Sequence, residues 1–175
     1  MVPLYQADKR WSGIILGHGP STIGRAGCVL VSLTVAARTL GTRPDLLPPH
    51  LNVAAVVAGA FAGDELIVPR AALACGLLAD EHAVMAEPGH ASLVDAVAKA
   101  LATGLALLRV DINLDGGGDH TILAGAIGSG GVDCVCPAVG RVRLSPALEA
   151  TVSWGKAGVK KYRVVGVRGV RRPVQ

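Results

Sequence analysis

The 175-residue chain has a formal charge of +4, with 51% hydrophobic, 17% charged and only 3% aromatic residues. That length holds one domain with a full core and leaves no room for a second of similar size, and the composition excludes a disordered chain. With so few aromatics, the core must be built from Ala, Val and Leu.

The opening residues, Met1-Val2-Pro3-Leu4-Tyr5-Gln6, lack the basic-then-apolar pattern of a secretory signal. The longest apolar runs, near 53–62 and 94–110, are broken by glycine or charge before reaching membrane-spanning length. The expectation is a soluble, single-domain protein without a membrane span, cytoplasmic or virion-associated. Its four cysteines, Cys28, Cys75, Cys134 and Cys136, are expected to be reduced, because a chain with its own core does not need disulfides.

In chain order, the segment to about Pro20 reads as irregular, with Trp11 as a core anchor. A helix from Cys28 to Leu40 follows, apolar almost all round and therefore buried, with Gly41 as its stop. Pro44–Pro49 reads as a turn, and Leu51–Ala60 as a helix begun near His50 or Asn52. Pro69–Leu78 reads as another, alanine-rich and holding Cys75 in the core. Ser92, with Asp95 three residues on, is the expected cap of a helix running to Ala102. Beyond Gly104 the period becomes that of strands: Leu105–Val110, Thr121–Ile127, Val132–Cys136 and Tyr162–Val167. Gly128-Ser129-Gly130-Gly131 joins the second and third as a hairpin turn. Asp115-Gly116-Gly117-Gly118 reads as a loop able to gate a site beside it. Helices first and antiparallel strands second predict an α+β fold, a helical layer on a small sheet.

Residues 156–175 form a basic stretch with Lys156, Lys160, Lys161, Arg163, Arg168, Arg171 and Arg172 and no acid. It reads as a solvated terminal strand, since the dense basic clusters and stacking aromatics of nucleic-acid binders are missing. No metal or cofactor is expected: Cys134 and Cys136 make a single C-x-C pair, short of a structural zinc set, and the glycine run leads into a strand, unlike a phosphate loop.

Cys28 is the most informative residue. A thiol opening a helix faces unpaired N–H groups and the positive end of the helix dipole, which favour a thiolate, and Gly27 should leave open space beside it. His120 opens a later strand. A cysteine starting a helix and a histidine starting a strand supply a nucleophile and a base. The plainer readings are a buried cysteine and a structural histidine. His18, His50, His82 and His90 read as surface residues, of which His18 could also line a cleft.

The order Gln6, Trp11, Ser21-Thr22-Ile23, Gly27-Cys28 and Gly118-Asp119-His120 resembles the stand-alone relatives of the double-glycine leader peptidases, bacteriocin-processing cysteine peptidases of papain-like fold, over residues 5–145. The resemblance implies Cys28 as nucleophile, His120 as general base, and Gln6 with the Cys28 amide as oxyanion donors. The family places an Asp before a proline to orient the histidine. Here Cys136 precedes Pro137, and Asp133 lies three residues earlier, on the other face of a regular strand unless a bulge intervenes. The implied function is hydrolysis of peptide or amide bonds, with a protein or the stem peptides of peptidoglycan as substrate, in a bacterial wall hydrolase or a phage tail. The alternative is a non-catalytic papain-like module within a larger assembly.

Overall fold

A computed structural model describes residues 1–115 and 120–174. The expected gating loop falls largely on 116–118, outside the described residues, as does Asp119. The elements are α1 (Ile23–Ala26), α2 (Cys28–Thr39), α3 (Pro48–Val57), β1 (Phe61–Ala62), β2 (Glu65–Leu66), α4 (Val68–Ala74), β3 (Leu78–Ala79), β4 (Val84–Met85), α5 (Ala91–Thr103), β5 (Leu105–Asp111), β6 (His120–Gly128), β7 (Gly131–Cys136), β8 (Gly140–Leu144), β9 (Glu149–Ser153) and β10 (Val159–Arg171). The fold is α+β. No helix among the described residues is long and apolar enough to cross a membrane.

Apart from the small β1–β2 hairpin, the strands form one antiparallel sheet in the order β3-β10-β5-β6-β7-β8. One edge of β10 pairs with β5, and the other meets β9, β4 and β3 in succession. The basic C-terminal stretch is therefore no solvated tail. Tyr162, Val164, Val165, Val167 and Val170 are buried, and the strand runs through the sheet interior. Its apolar residues outweigh the charge count that suggested a solvated strand. The sheet is also larger than expected, because β3, β4, β8 and β9 are short and their periodicity is weak over a few residues.

Helices cover both sheet faces. Leu30, Val31, Leu33 and Ala37 of α2 join Leu51, Ala55 and Ala71 of α3 and α4 over Leu105, Leu107, Leu123 and Val170. On the other face, Leu93, Val97 and Ala100 of α5 cover Ala106, Leu108, Val110, Ile122 and Ala124. Each buried Leu or Val contributes roughly 1.5–3 kcal/mol.

Local chemistry moves several boundaries. α3 begins at Pro48, where a proline in the first turn loses no helical hydrogen bond, so the expected turn over Pro44–Pro49 gives way early. α4 ends at Ala74, and Cys75 follows it, buried, ahead of Gly76 at φ 77°. The cap of α5 is His90, whose Nδ1 accepts from the Ser92 amide at 3.2 Å, in place of Ser92. Gly41 stops α2 at φ 71°, as expected. Gly27 is buried, and a side chain there would strike the Ile23 carbonyl, so its bareness serves the close join of α1 to α2 and opens no space for substrate.

The β6–β7 turn also depends on glycine. Gly131 sits at φ 119°, and a Cβ there would collide with the Leu144 carbonyl of β8, whereas Gly128 has open space around it. Gly131→Ala is expected to cost roughly 2–3 kcal/mol, from left-handed strain of about 1–2 kcal/mol plus the overlap. Gly128→Ala should cost less than about 0.5 kcal/mol. Urea denaturation of both variants checks the difference, and equal midpoints would contradict it.

Candidate active site

Cys28 is the first residue of α2, and the buried side of that helix lies against β6, where the Ser32 hydroxyl donates to the Thr121 carbonyl at 3.5 Å. This docking brings the thiol beside the start of β6. Cys28 is half-buried, while Cys75, Cys134 and Cys136 are fully buried. Burial pushes the Cys28 thiol up, and the amides of Thr121 and Val29, together with the Thr121 hydroxyl, pull the other way. The resting group is thus a thiol, despite the helix terminus.

His120 opens β6 opposite Val110 of β5 and is only 4% exposed. Its Nε2 lies 3.2 Å from the Cys136 Sγ at the end of β7. The same sulfur lies 3.2 Å from the Tyr162 hydroxyl and accepts from the Ala138 amide at 3.4 Å. Trp154 Nε1 donates to the Tyr162 oxygen at 2.9 Å, which leaves the phenolic proton available for the sulfur. Trp154 and Tyr162 also meet the imidazole edge-on, with ring centroids at 5.5 and 6.3 Å. Burial raises both the Cys136 thiol and the Tyr162 phenol, against which Tyr162 and the Ala138 amide favour the thiolate at Cys136.

Cys28, His120 and Thr121 line one cleft of about 700 Å³ between the helical layer and the sheet. Ala26, Val29 and Leu30 form its helical wall, Leu66 to Pro69 continue it, and Leu107, Arg109, Gly166 and Arg168 supply sheet residues. The expected direct contact between nucleophile and base is not among the described hydrogen bonds, and the polar groups acting on the sulfur belong to Thr121 and Val29. His82, in place of His18, borders the cleft.

Of the two candidates, Cys136 contacts His120 and Asp133 does not. The bulge that would have turned Asp133 inward lies on the neighbouring strand: Ala124 and Ala126 of β6 face Cys134 and Asp133, with Gly125 as the extra residue. β7 keeps its alternation, and Asp133 points to solvent, 3.2 Å from Arg143. Gln6 is placed away from the cleft lining. Its Nε2 donates to the Gly24 carbonyl at 3.0 Å and its amide to the Pro137 carbonyl at 2.9 Å, so it ties the N-terminal segment between α1 and the end of β7. Its Oε1 is buried with no partner among the described residues. The first N–H groups of α2, Cys28's own included, have no acceptor within the helix.

Sequence reasoning missed Thr121, Tyr162 and Trp154. A usable signal existed for the last two, since a chain with five aromatic residues places two of them eight positions apart. No protein-family model, curated protein or solved structure matches the chain.

Cys28 should be alkylated first by iodoacetamide, because the other three thiols are buried and Cys75 and Cys134 are pushed up to about 11 and about 12. The raised Cys28 thiol means that its labelling rate should climb with pH through the neutral range, with no plateau below pH 7. Peptide mapping after timed labelling checks both points, and earlier modification of Cys134 or Cys136 would contradict them.

Proposed function

We propose that the protein is a thiol hydrolase of peptide or amide bonds, with a papain-like division of labour between Cys28, His120 and Cys136. The observation that carries this reading is the 3.2 Å contact from His120 Nε2 to the buried Cys136, on the strand after the histidine, with His120 itself lining the cleft that Cys28 also lines. With Nε2 turned to Cys136, Nδ1 is the ring nitrogen that acts on the Cys28 thiol in this reading.

In this reading the Cys28 Sγ bonds to the substrate carbonyl carbon while its proton passes to His120 Nδ1. The carbonyl π electrons move to oxygen, where the N–H groups at the start of α2 receive the charge. Collapse breaks the C–N bond, the amine leaves with the proton from His120, and a thioester remains. Water then adds, giving its proton to His120, and the acid departs as the thiol is restored. Because the resting group is a thiol, proton transfer accompanies attack and no ion pair precedes it. A protein segment or a stem peptide of peptidoglycan matches the size of the cleft, and a bacterial wall hydrolase or a phage tail component is the setting we favour.

A thiol is an ambiguous orienter. A carboxylate only accepts, so it fixes the proton on Nε2 and leaves Nδ1 basic. If the Cys136 S–H donates to Nε2, the ring proton sits on Nδ1 and the base is in the wrong tautomer. Cys136→Asp would accept from His120, Tyr162 and Ala138 alike. It is expected to raise kcat about tenfold, well inside the roughly 10⁴-fold that an orienting carboxylate is worth in a serine protease. Cys28→Ala should abolish turnover. Release of amine from peptides and from isolated peptidoglycan checks both.

A second reading, a non-catalytic module of a larger assembly, draws support from the burial of His120 and from the raised Cys28 thiol. Turnover that is undetectable in the unaltered protein and in Cys136→Asp alike would favour it.

A further inference from the structure

The sheet registers place two arginines on the cleft floor. Thr121 of β6 pairs with Arg109 of β5, which pairs with Gly166 of β10, and one step along, Leu123 pairs with Leu107 and Leu107 with Arg168. Alternation puts Thr121, Arg109, Gly166 and Arg168 on one face, the face toward α2, and all four line the cleft. Arg109 and Arg168 are thus diagonal neighbours, about 7–8 Å apart and within reach of one another's long side chains. Gly166 lies between them, and a Cβ there would press on Met85 and Arg109, so no side chain of that position separates the two cations.

Arg168 is half-buried, and no carboxylate among the described residues lies within ion-pair distance of it. The neighbouring acid Asp80 holds the Gly169 amide at 3.1 Å and Arg171 at 2.7 Å. Asp80 and Glu81 favour the charge on Arg168 only from a distance, while burial works against it. Among the described residues, three acids line the cleft, Asp64 and Glu65 of the β1–β2 hairpin and Glu81, and none of them forms an ion pair with Arg168.

We infer that Arg168, together with Arg109, forms an anion subsite on the cleft floor that recognises a carboxylate of the bound peptide. The chemistry is a guanidinium pairing with a planar anion. Strands lie about 4.8 Å apart, and an extended peptide advances about 3.3 Å per residue. An anion between Arg109 and Arg168 therefore sits roughly two or three residues from a carbonyl held beside Thr121 and Cys28. The substrate class is an acidic peptide, its carboxylate either a side chain or a free C-terminus. The inference rests on the reading of this cleft as the substrate site.

The test measures binding and hydrolysis separately. Fluorescein-labelled hexapeptides of alanine and serine are prepared with a single carboxylate, either as one Glu at each position of a C-terminally amidated series or as a free C-terminus, alongside the uncharged Gln and carboxamide counterparts. Binding to the Cys28→Ala protein is read by anisotropy. At least one carboxylate peptide should bind about tenfold or more tightly than its uncharged counterpart, and the favoured series identifies the source of the anion. Arg168→Gln in the same background should erase the preference, and Arg168→Lys should keep part of it. If Arg168→Gln fails to fold, loss of preference in the exposed Arg109→Gln serves instead. Equal binding of charged and uncharged peptides, or a preference that survives these substitutions, overturns the inference. Selective binding without hydrolysis by the unaltered protein would sustain the subsite and refute the peptidase. Hydrolysis with no carboxylate preference would do the reverse.

Discussion

The contact between His120 Nε2 and the Cys136 sulfur depends on three separate parts of the chain. β6 and β7 must pair in a register that brings residues 120 and 136 to the same end of the sheet, and Gly131 permits the turn between them. The sulfur is backed by Tyr162, on a strand that begins 31 residues after β6 ends, and Tyr162 is backed by Trp154. Buried polar groups that lack partners cost a few kcal/mol each, so sulfur, phenol and indole are each held in place by the need to satisfy the next. β10 supplies Tyr162 from within the sheet, which is why a stretch rich in lysine and arginine ends in the core.

The same strand also reaches the cleft. Tyr162 serves the imidazole from one face of β10, while Gly166 and Arg168, farther along, face the cleft. The bulge between Val164 and Gly166 shifts the alternation between these two duties, as bulges near functional sites often do by re-aiming side chains. One strand therefore contributes to the placement of His120 and to the charge of the cleft floor.

Much of this was legible in the sequence, and the limit lies where pairing becomes non-local. Cys28 at a helix start, Gly41 at its end, the strands from Leu105 to Cys136 and the turn at 128–131 are written in short-range periodicity and glycine placement. The choice between Asp133 and Cys136 was not, because it depends on which strand carries the bulge, and Gly125 of β6 carries it. Gln6 misled for a related reason. Its type matches an oxyanion donor, but its partners, the Gly24 and Pro137 carbonyls, are set by how the N-terminal segment crosses the fold. The course of β10 through the sheet interior was hidden by its arginines, whose charge is easier to read than the apolar residues between them.

The proposed mechanism starts from a protonated Cys28 thiol that attacks with help from the His120 imidazole. The most direct measurement is the rate at which a peptidyl electrophile with an amide-like carbonyl acylates Cys28, followed by mass spectrometry in the unaltered protein and in His120→Ala. The expected result is a single adduct mapped to Cys28, formed about 100-fold or more slowly once the imidazole is removed. An adduct rate unchanged by His120→Ala would mean that His120 does not act on the thiol, and would contradict the hydrolase reading at its centre.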